Sequence, residues 1–307
     1  MKKLLTFFGR TTLLGLFMAA GAAPLAQAQT DLLGQLEQET KKDAPATQVV
    51  DATFKATRLI NGHTVQTPGE GTMVFLISHR FGPLNSGAYN FFGLDAATLR
   101  LGFEYALTDR FEVGVGRSSQ GKTFDGFLKY KAIQQTTGAH EVPVSVTLFT
   151  SAAVMTERMN NGIDYTLGKR TGYTYQALIA RKFSSNLSLQ LMPTLVHRNL
   201  VINEGEKNDV YAIGAGGRYK LTKRFSLNAE YYYLLPSYTA DHYRNSVALG
   251  VDIETGGHIF QMHVTNSTGM IEQQFITQTS GNFFDGYLCF GFNVSRNFTV
   301  KQRARKI

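Results

Sequence analysis

The chain reads as an all-β protein: an up-and-down antiparallel transmembrane β-barrel of about twelve strands, preceded by a short N-terminal periplasmic segment. Three observations predict this. One unit recurs along the chain, as YALTDRFEVGVG from Tyr105, ARKFSSNLSLQL from Ala180, YKLTKRFSLNAEY from Tyr219 and FNVSRNFTV from Phe292. In each, a run of alternating apolar and polar residues crosses a short polar turn and restarts on Phe or Leu, the signature of a tight β-hairpin. Tyr and Phe flank these turns, where a barrel meets the boundary between lipid and water. Beyond the N-terminus no run of about 18 apolar residues exists to make a transmembrane helix, so strands remain the means of crossing.

The N-terminus predicts export. Lys2, Lys3 and Arg10 precede the apolar stretch 11–20, and Ala26-Gln27-Ala28 supplies a small-x-small cleavage signal. Residues 1–28 are expected to be a signal peptide and 29–51 a periplasmic segment. No cysteine follows the cleavage site to carry a lipid anchor, and the single Cys289 cannot close an internal disulfide. The formal charge is +8, of which the signal supplies three and Lys301, Arg303, Arg305 and Lys306 four. The barrel itself is near neutral, so its basic pI is no argument for nucleic-acid binding.

Residues 52–60 with the Asn61-Gly62 turn signal are expected to form a small hairpin before the barrel or within its wall. The wall follows, in a barrel assigned to 52–300 with a basic tail at 301–307. Its strands are read at 72–80, 97–106, 111–117, 123–131, 143–153, 171–182, 187–198, 209–221, 225–235, 243–253, 258–265 and 285–297. With the repeated turns at Thr108, Ser184 and Thr222 periplasmic, strand alternation places the longer links near 81–96, 154–170, 199–208 and 266–284 outside, the usual asymmetry of such barrels. The fourth repeat reads as a closing turn at Ser295-Arg296-Asn297 on the same side, and no plug domain is expected.

Alternation assigns the faces. Phe225, Leu227, Ala229, Tyr231 and Tyr233 point to lipid, as do Leu99, Leu101, Phe103 and Tyr105. The interior is expected to be polar, lined by Arg100, Glu104, Glu112, Asp125, Lys129, Arg198, Arg218, Lys220, Glu230 and Asp252. Charges of both signs persist there only as pairs, which disfavours a wide channel of one sign. A soluble periplasmic ligand-binding barrel is the alternative with the faces reversed.

The segments HRFGPLNSGAYNFFGLDAATLRLGFEYALTDRFEVGVGRSS (79–119), YQALIARKFSSNLSLQLMPTLVHRNLV (175–201), GAGGRYKLTKRFSLNAEYYY (214–233) and DIETGGHIFQMHVTNSTGMIEQQFIT (252–277) resemble the family known as domain of unknown function 5777. The resemblance spans nearly the whole mature chain. It implies an outer-membrane-type barrel of Gram-negative bacteria, and it brings no catalytic residues or cofactor.

Four motifs invite chemistry. The stretch from Gly116 to Thr123 matches the phosphate-loop pattern G-x-x-x-x-G-K-[ST], but alternating residues follow where that motif needs a helix, so a flexible hairpin turn is expected. His258 and His263 lie near Asp252 and Glu254, yet an odd separation sends their rings to opposite faces of a strand, and no metal is expected. A lipid hydrolase is the enzymatic alternative, with His197 and Asn199, or His263 with Asn266 and Ser267, on the outer wall. The Gly214, Gly216 and Gly217 cluster reads as curvature or close strand packing. The expected function is a structural, narrow small-solute or surface-binding barrel of the outer membrane, without cofactor, whose partners are outer-membrane lipid and the barrel insertion machinery.

Overall fold

Twelve β-strands close on themselves in sequence order. The computed structural model describes residues 46–158, 165–201, 205–236, 239 and 243–301. The expected signal peptide, most of the expected periplasmic segment and the tail beyond Lys301 lie outside them. At the start of the described residues the His140 amide donates to Thr47 Oγ1 (3.2 Å). The strands are β1 (Thr72–Pro83), β2 (Thr98–Ala106), β3 (Phe111–Ser118), β4 (Thr123–Ile133), β5 (Ser145–Met155), β6 (Thr171–Lys182), β7 (Leu187–Arg198), β8 (Asp209–Lys220), β9 (Phe225–Leu234), β10 (Ser246–Glu254), β11 (His258–Thr265) and β12 (Cys289–Thr299). Each pairs antiparallel with its neighbours, and β12 closes the cylinder on β1 with Phe292 opposite His79 and Phe298 opposite Met73. Closure removes every open edge, which a strand in lipid cannot leave unpaired.

Three of the repeated turns share one geometry. The Thr108 hydroxyl accepts from the amides of Arg110 (3.2 Å) and Phe111 (3.0 Å). Ser184 does the same for Asn186 and Leu187, and Thr222 for Arg224 and Phe225. A hydroxyl at this place satisfies two amides that the tight turn would leave without partners, which is why Ser or Thr recurs there. The fourth repeat does not follow. Ser295, Arg296 and Asn297 lie inside β12 and pair with Leu76, Phe75 and Val74 of β1. The last strand must run its full length along β1 to close the barrel, so the letters of the turn are overridden.

The wall alternates as expected. In β9 exposed and buried residues alternate without a break, with Phe225, Leu227, Tyr231 and Tyr233 outward. Leu99, Leu101, Phe103, Leu128, Leu191, Ile213 and Leu249 are likewise exposed on the outer surface. Outward apolar and inward polar residues suit lipid outside and contradict the soluble barrel, which needs the reverse. Among the described residues no helix is long and apolar enough to cross a membrane.

Two segments correct the expectation of an unplugged lumen. Residues 53–66, assigned to the barrel domain, are not in its wall; they enter the lumen from the rim of short turns and return to it. Leu59 and Gly62 close a small hairpin (N to O, 2.9 Å), and Thr64 donates to the Thr57 carbonyl (2.9 Å). Phe54, Leu59, Ile60 and Val65 are at most 3% exposed. Returning to the rim, Glu70 is held by Asp109 (3.1 Å). From the opposite rim, the link between β11 and β12 folds inward as well. It carries a short helix, α1 (Glu272–Thr277), whose Phe275 and Ile276 are fully buried.

The interior is therefore not uniformly polar. Phe127, Phe149, Leu178, Met192, Val196, Val210 and Tyr232 point inward and pack with Phe54, Leu59 and Val65 of the hairpin and Phe275 and Ile276 of α1. Each large apolar side chain buried there stabilises the docked hairpin by roughly 1.5–3 kcal/mol before the cost of ordering the segment. Wall glycines make the room. A Cβ on Gly216 would stand 2.3 Å from Leu59 Cδ2, so the cluster read as close packing is packed against the hairpin as well as between strands.

Candidate functional site: the plugged lumen

Side chains of the wall hold the hairpin by its backbone. Glu230 accepts from the amides of Gly62 (3.0 Å) and Ile60 (3.3 Å). Gln190 takes the Val65 amide on its oxygen (2.9 Å) and donates to the His63 carbonyl (2.8 Å). Asn293 donates to the Ile60 carbonyl (2.8 Å), Gln261 to that of Leu59 (3.0 Å) and Thr147 to that of Val65 (3.0 Å). Lys129 donates to the Gln66 carbonyl. A short hairpin has no sheet partner, so these contacts replace the hydrogen bonds its backbone would make with water. Gly62 fits because nothing larger can: a Cβ there would meet the Tyr232 hydroxyl at 2.3 Å.

Charge locks the centre. Arg58, at the hairpin tip, pairs with Glu104 of β2 (3.6 Å) and Glu272 of α1 (3.2 Å), and stands over the Phe127 ring at 5.8 Å. Thr57 Oγ1 donates to Glu104 at 2.6 Å. One arginine thus ties together the wall, the hairpin from one rim and the helix from the other. His63 lies between Phe127 and Phe149, with ring centroids 4.5 and 4.4 Å away. Burial, helped by Arg58, Lys129 and Arg100, holds its pKa well below the usual histidine range, so the ring there is neutral. Burial pushes the Glu272 carboxyl up, and Arg58 pulls it back.

The ten inward residues expected from alternation divide into roles. Arg100 reaches over Gly116 of β3 to pair with Asp125 of β4 (2.9 Å), and Lys129 pairs with Glu112 on the neighbouring strand (3.3 Å). Arg198 pairs with Glu206 (2.9 Å) at the rim of long links. Arg218 pairs with Glu254 (2.6 Å), which also meets Lys55 at 3.3 Å. Asp252 accepts from Gln261 (3.0 Å). Glu104 and Glu230 serve the hairpin, and Lys220 is half-buried at its strand end. Arg80, not among the ten, is also inward: it is 1% exposed and donates to Asn61 (2.8 Å) and Asn293 (3.1 Å). Asn293 lies inward, where the alternation of 285–297 places it, whereas the neutral amides Gln190 and Gln261 were missed because charge was sought instead of inward polarity.

The chemical motifs are placed as follows. After Ser118 the phosphate-loop letters make one short turn at Gln120–Lys122 and enter β4, so no helix N-terminus faces a phosphate. His258 and His263 face opposite sides of β11, with His263 buried inside. Among the described residues no three His, Cys, Asp or Glu side chains converge as a metal site. His197 is on the outer wall, but its ring nitrogens meet Asp209 (2.6 Å) and Asn199 (3.0 Å). Ser267 is buried and accepts from the Gly269 amide (3.2 Å). Neither histidine pairs with a serine hydroxyl among the described residues, as a hydrolase needs. Cys289 is buried in the interior.

The family model described as a membrane-bound beta barrel domain matches residues 54–298. Among curated proteins no significant match is found. Among solved structures, the NanC porin is 8% identical over 73% of this chain and 98% of its own, with a TM-score of 0.48. An outer membrane channel from Pseudomonas putida F1 is 15% identical over 76% and 97%, at 0.42. Outer membrane phospholipase A from Escherichia coli is 12% identical over 73% and 92%, at 0.41. All three are too distant to carry a function across.

Proposed function

The chain belongs to the membrane-bound β-barrel family known as domain of unknown function 5777, and from that premise we propose a gated outer-membrane barrel: its lumen is shut by its own N-terminal hairpin and passes a small solute when that hairpin is displaced. The role is non-enzymatic, and outer-membrane lipid and the insertion machinery are its standing partners. One observation carries the reading. The hairpin is held through its backbone by Glu230, Gln190, Gln261 and Asn293, side chains that water solvates equally well once it leaves. The same side chains satisfy the hairpin backbone while it is docked and water once it leaves, so the path they line is wet when open. Paired charges of both signs leave that path without a strong preference for cations or anions.

Local unfolding supplies the test, because a short hairpin opens at lower cost than a closed twelve-strand ladder. The parent protein should fractionate with the outer membrane, migrate differently before and after heating, and keep a planar bilayer closed for most of a recording. Urea below the level that unfolds the barrel should lengthen the openings. Recovery as a soluble protein contradicts the membrane reading; a current open from the start, or barrel unfolding before any current, contradicts the gate.

A further inference from the structure

At the rim of long links a cavity of about 110 Å³ lies between the wall and α1. Lys169, Arg170, Arg198 and Glu206 line it, with Gln273 and Gln274 of the helix. Among the described lining residues Lys169 and Arg198 thus bring positive charge beside the Glu206 carboxylate. Arg198 is 3% exposed, and its guanidinium is only partly used. One terminal nitrogen pairs with Glu206 and the other donates to the Lys207 carbonyl (3.1 Å), while Nε has no partner among the described residues. A buried N–H without an acceptor is costly, and an anion oxygen is the strongest acceptor it can be given.

We propose that this cavity is a binding site for a small free oxyanion of the phosphate or carboxylate class. Size selects the class: the cavity holds a few water volumes, enough for a compact anion and too little for a chain of sugars. Arg198 supplies its unpartnered Nε–H from β7, Lys169 a charge from the link before β6, and Gln273 an amide from α1. Gln273 is next in sequence to Glu272, which holds Arg58 of the hairpin. An anion arriving from the long-link side therefore touches the helix that helps to keep the hairpin docked. That consequence rests on the gated reading, whereas the site itself stands on its own geometry.

The test is calorimetric titration of the full-length, heat-modifiable barrel in phosphorus-free detergent, with inorganic phosphate and with acetate as probes. At least one should bind saturably at one site. Arg198→Gln should weaken binding roughly tenfold or more, in keeping with loss of a charged hydrogen bond. Lys169→Gln leaves the Arg198–Glu206 pair intact and should weaken it too, whereas Lys223→Gln at the opposite rim should not. No saturable binding of either probe, or equal weakening by Lys223→Gln, overturns the site. So does phosphorus analysis showing that the purified protein binds phosphate only as an added lipid headgroup. None of these readouts measures current, so the site can fail while the gate stands, and the reverse.

Discussion

Deleting residues 53–66 is expected to convert a closed barrel into a conducting one. The wall does not depend on this segment for its hydrogen bonds, because all twelve strands are paired in a continuous ladder without it. The variant should therefore still insert and remain heat-modifiable. Its cost falls on the inner apolar patch around Phe127, Phe149, Leu178 and Met192, which loses the contacts of Phe54, Leu59 and Val65. A lower melting temperature with a retained barrel is the expected pattern. In planar bilayers the variant should carry a steady current, narrowed by α1, which still occupies the lumen with Phe275 and Ile276. A heat-modifiable variant that never conducts would mean that the hairpin is a structural core and the barrel no pore.

Arg58→Ala should produce the second largest effect, and through a different cause. Removing one partner of a buried ion pair costs roughly 3–5 kcal/mol, because the remaining charge is stranded. Here two carboxylates lose their partner, although Thr57 still donates to Glu104. Glu272, already pushed upward by burial, can take a proton and limit the loss. The lower end of that range is therefore expected, a change of roughly a hundredfold in the ratio of docked to released hairpin. The cost falls on docking and not on the strand ladder. Openings should become frequent in bilayer recordings, and the hairpin should become sensitive to protease while the strands stay protected. Arg58→Lys keeps the charge and should recover only part of the docking, because an ammonium cannot reproduce the forked contact to Glu104 and Glu272.

Much of the wall could be read from the residues. The period of two in FSLNAEYYYL placed every side chain of β9 on its observed face, and the recurring Thr or Ser marked three turns whose hydroxyls cap the following amides. Of the charged residues sought by the same alternation, Arg100 with Asp125 and Lys129 with Glu112 pair as mixed signs require, whereas Glu230 and Asp252 are met by amides. The plug was harder, because TRLINGHTV has the letters of a wall hairpin. Its return arm, five residues from His63 to Thr67 before Pro68-Gly69, is shorter than the roughly 9–11 residues needed to cross a bilayer, and that length is the signal that separates a lumenal hairpin from a spanning one. Helix α1, six residues long, is too short for a helical period to register. SRNF in β12 carried the turn letters but had no later strand to return to.

The central claim is that the N-terminal hairpin sits in the lumen and closes it. A disulfide between the hairpin and the wall tests it most directly. Leu59 Cδ2 lies 2.3 Å from where a Cβ on Gly216 would stand, so Leu59→Cys with Gly216→Cys brings two thiols together, with Cys289→Ser removing the native thiol. Combined with Arg58→Ala, which frees the hairpin, oxidation should form this bond in the membrane-inserted protein and silence the current, and a reductant should restore it. Thiols that stay unlinked and both react with a membrane-impermeant reagent, or a current unchanged by the bond, would contradict the account.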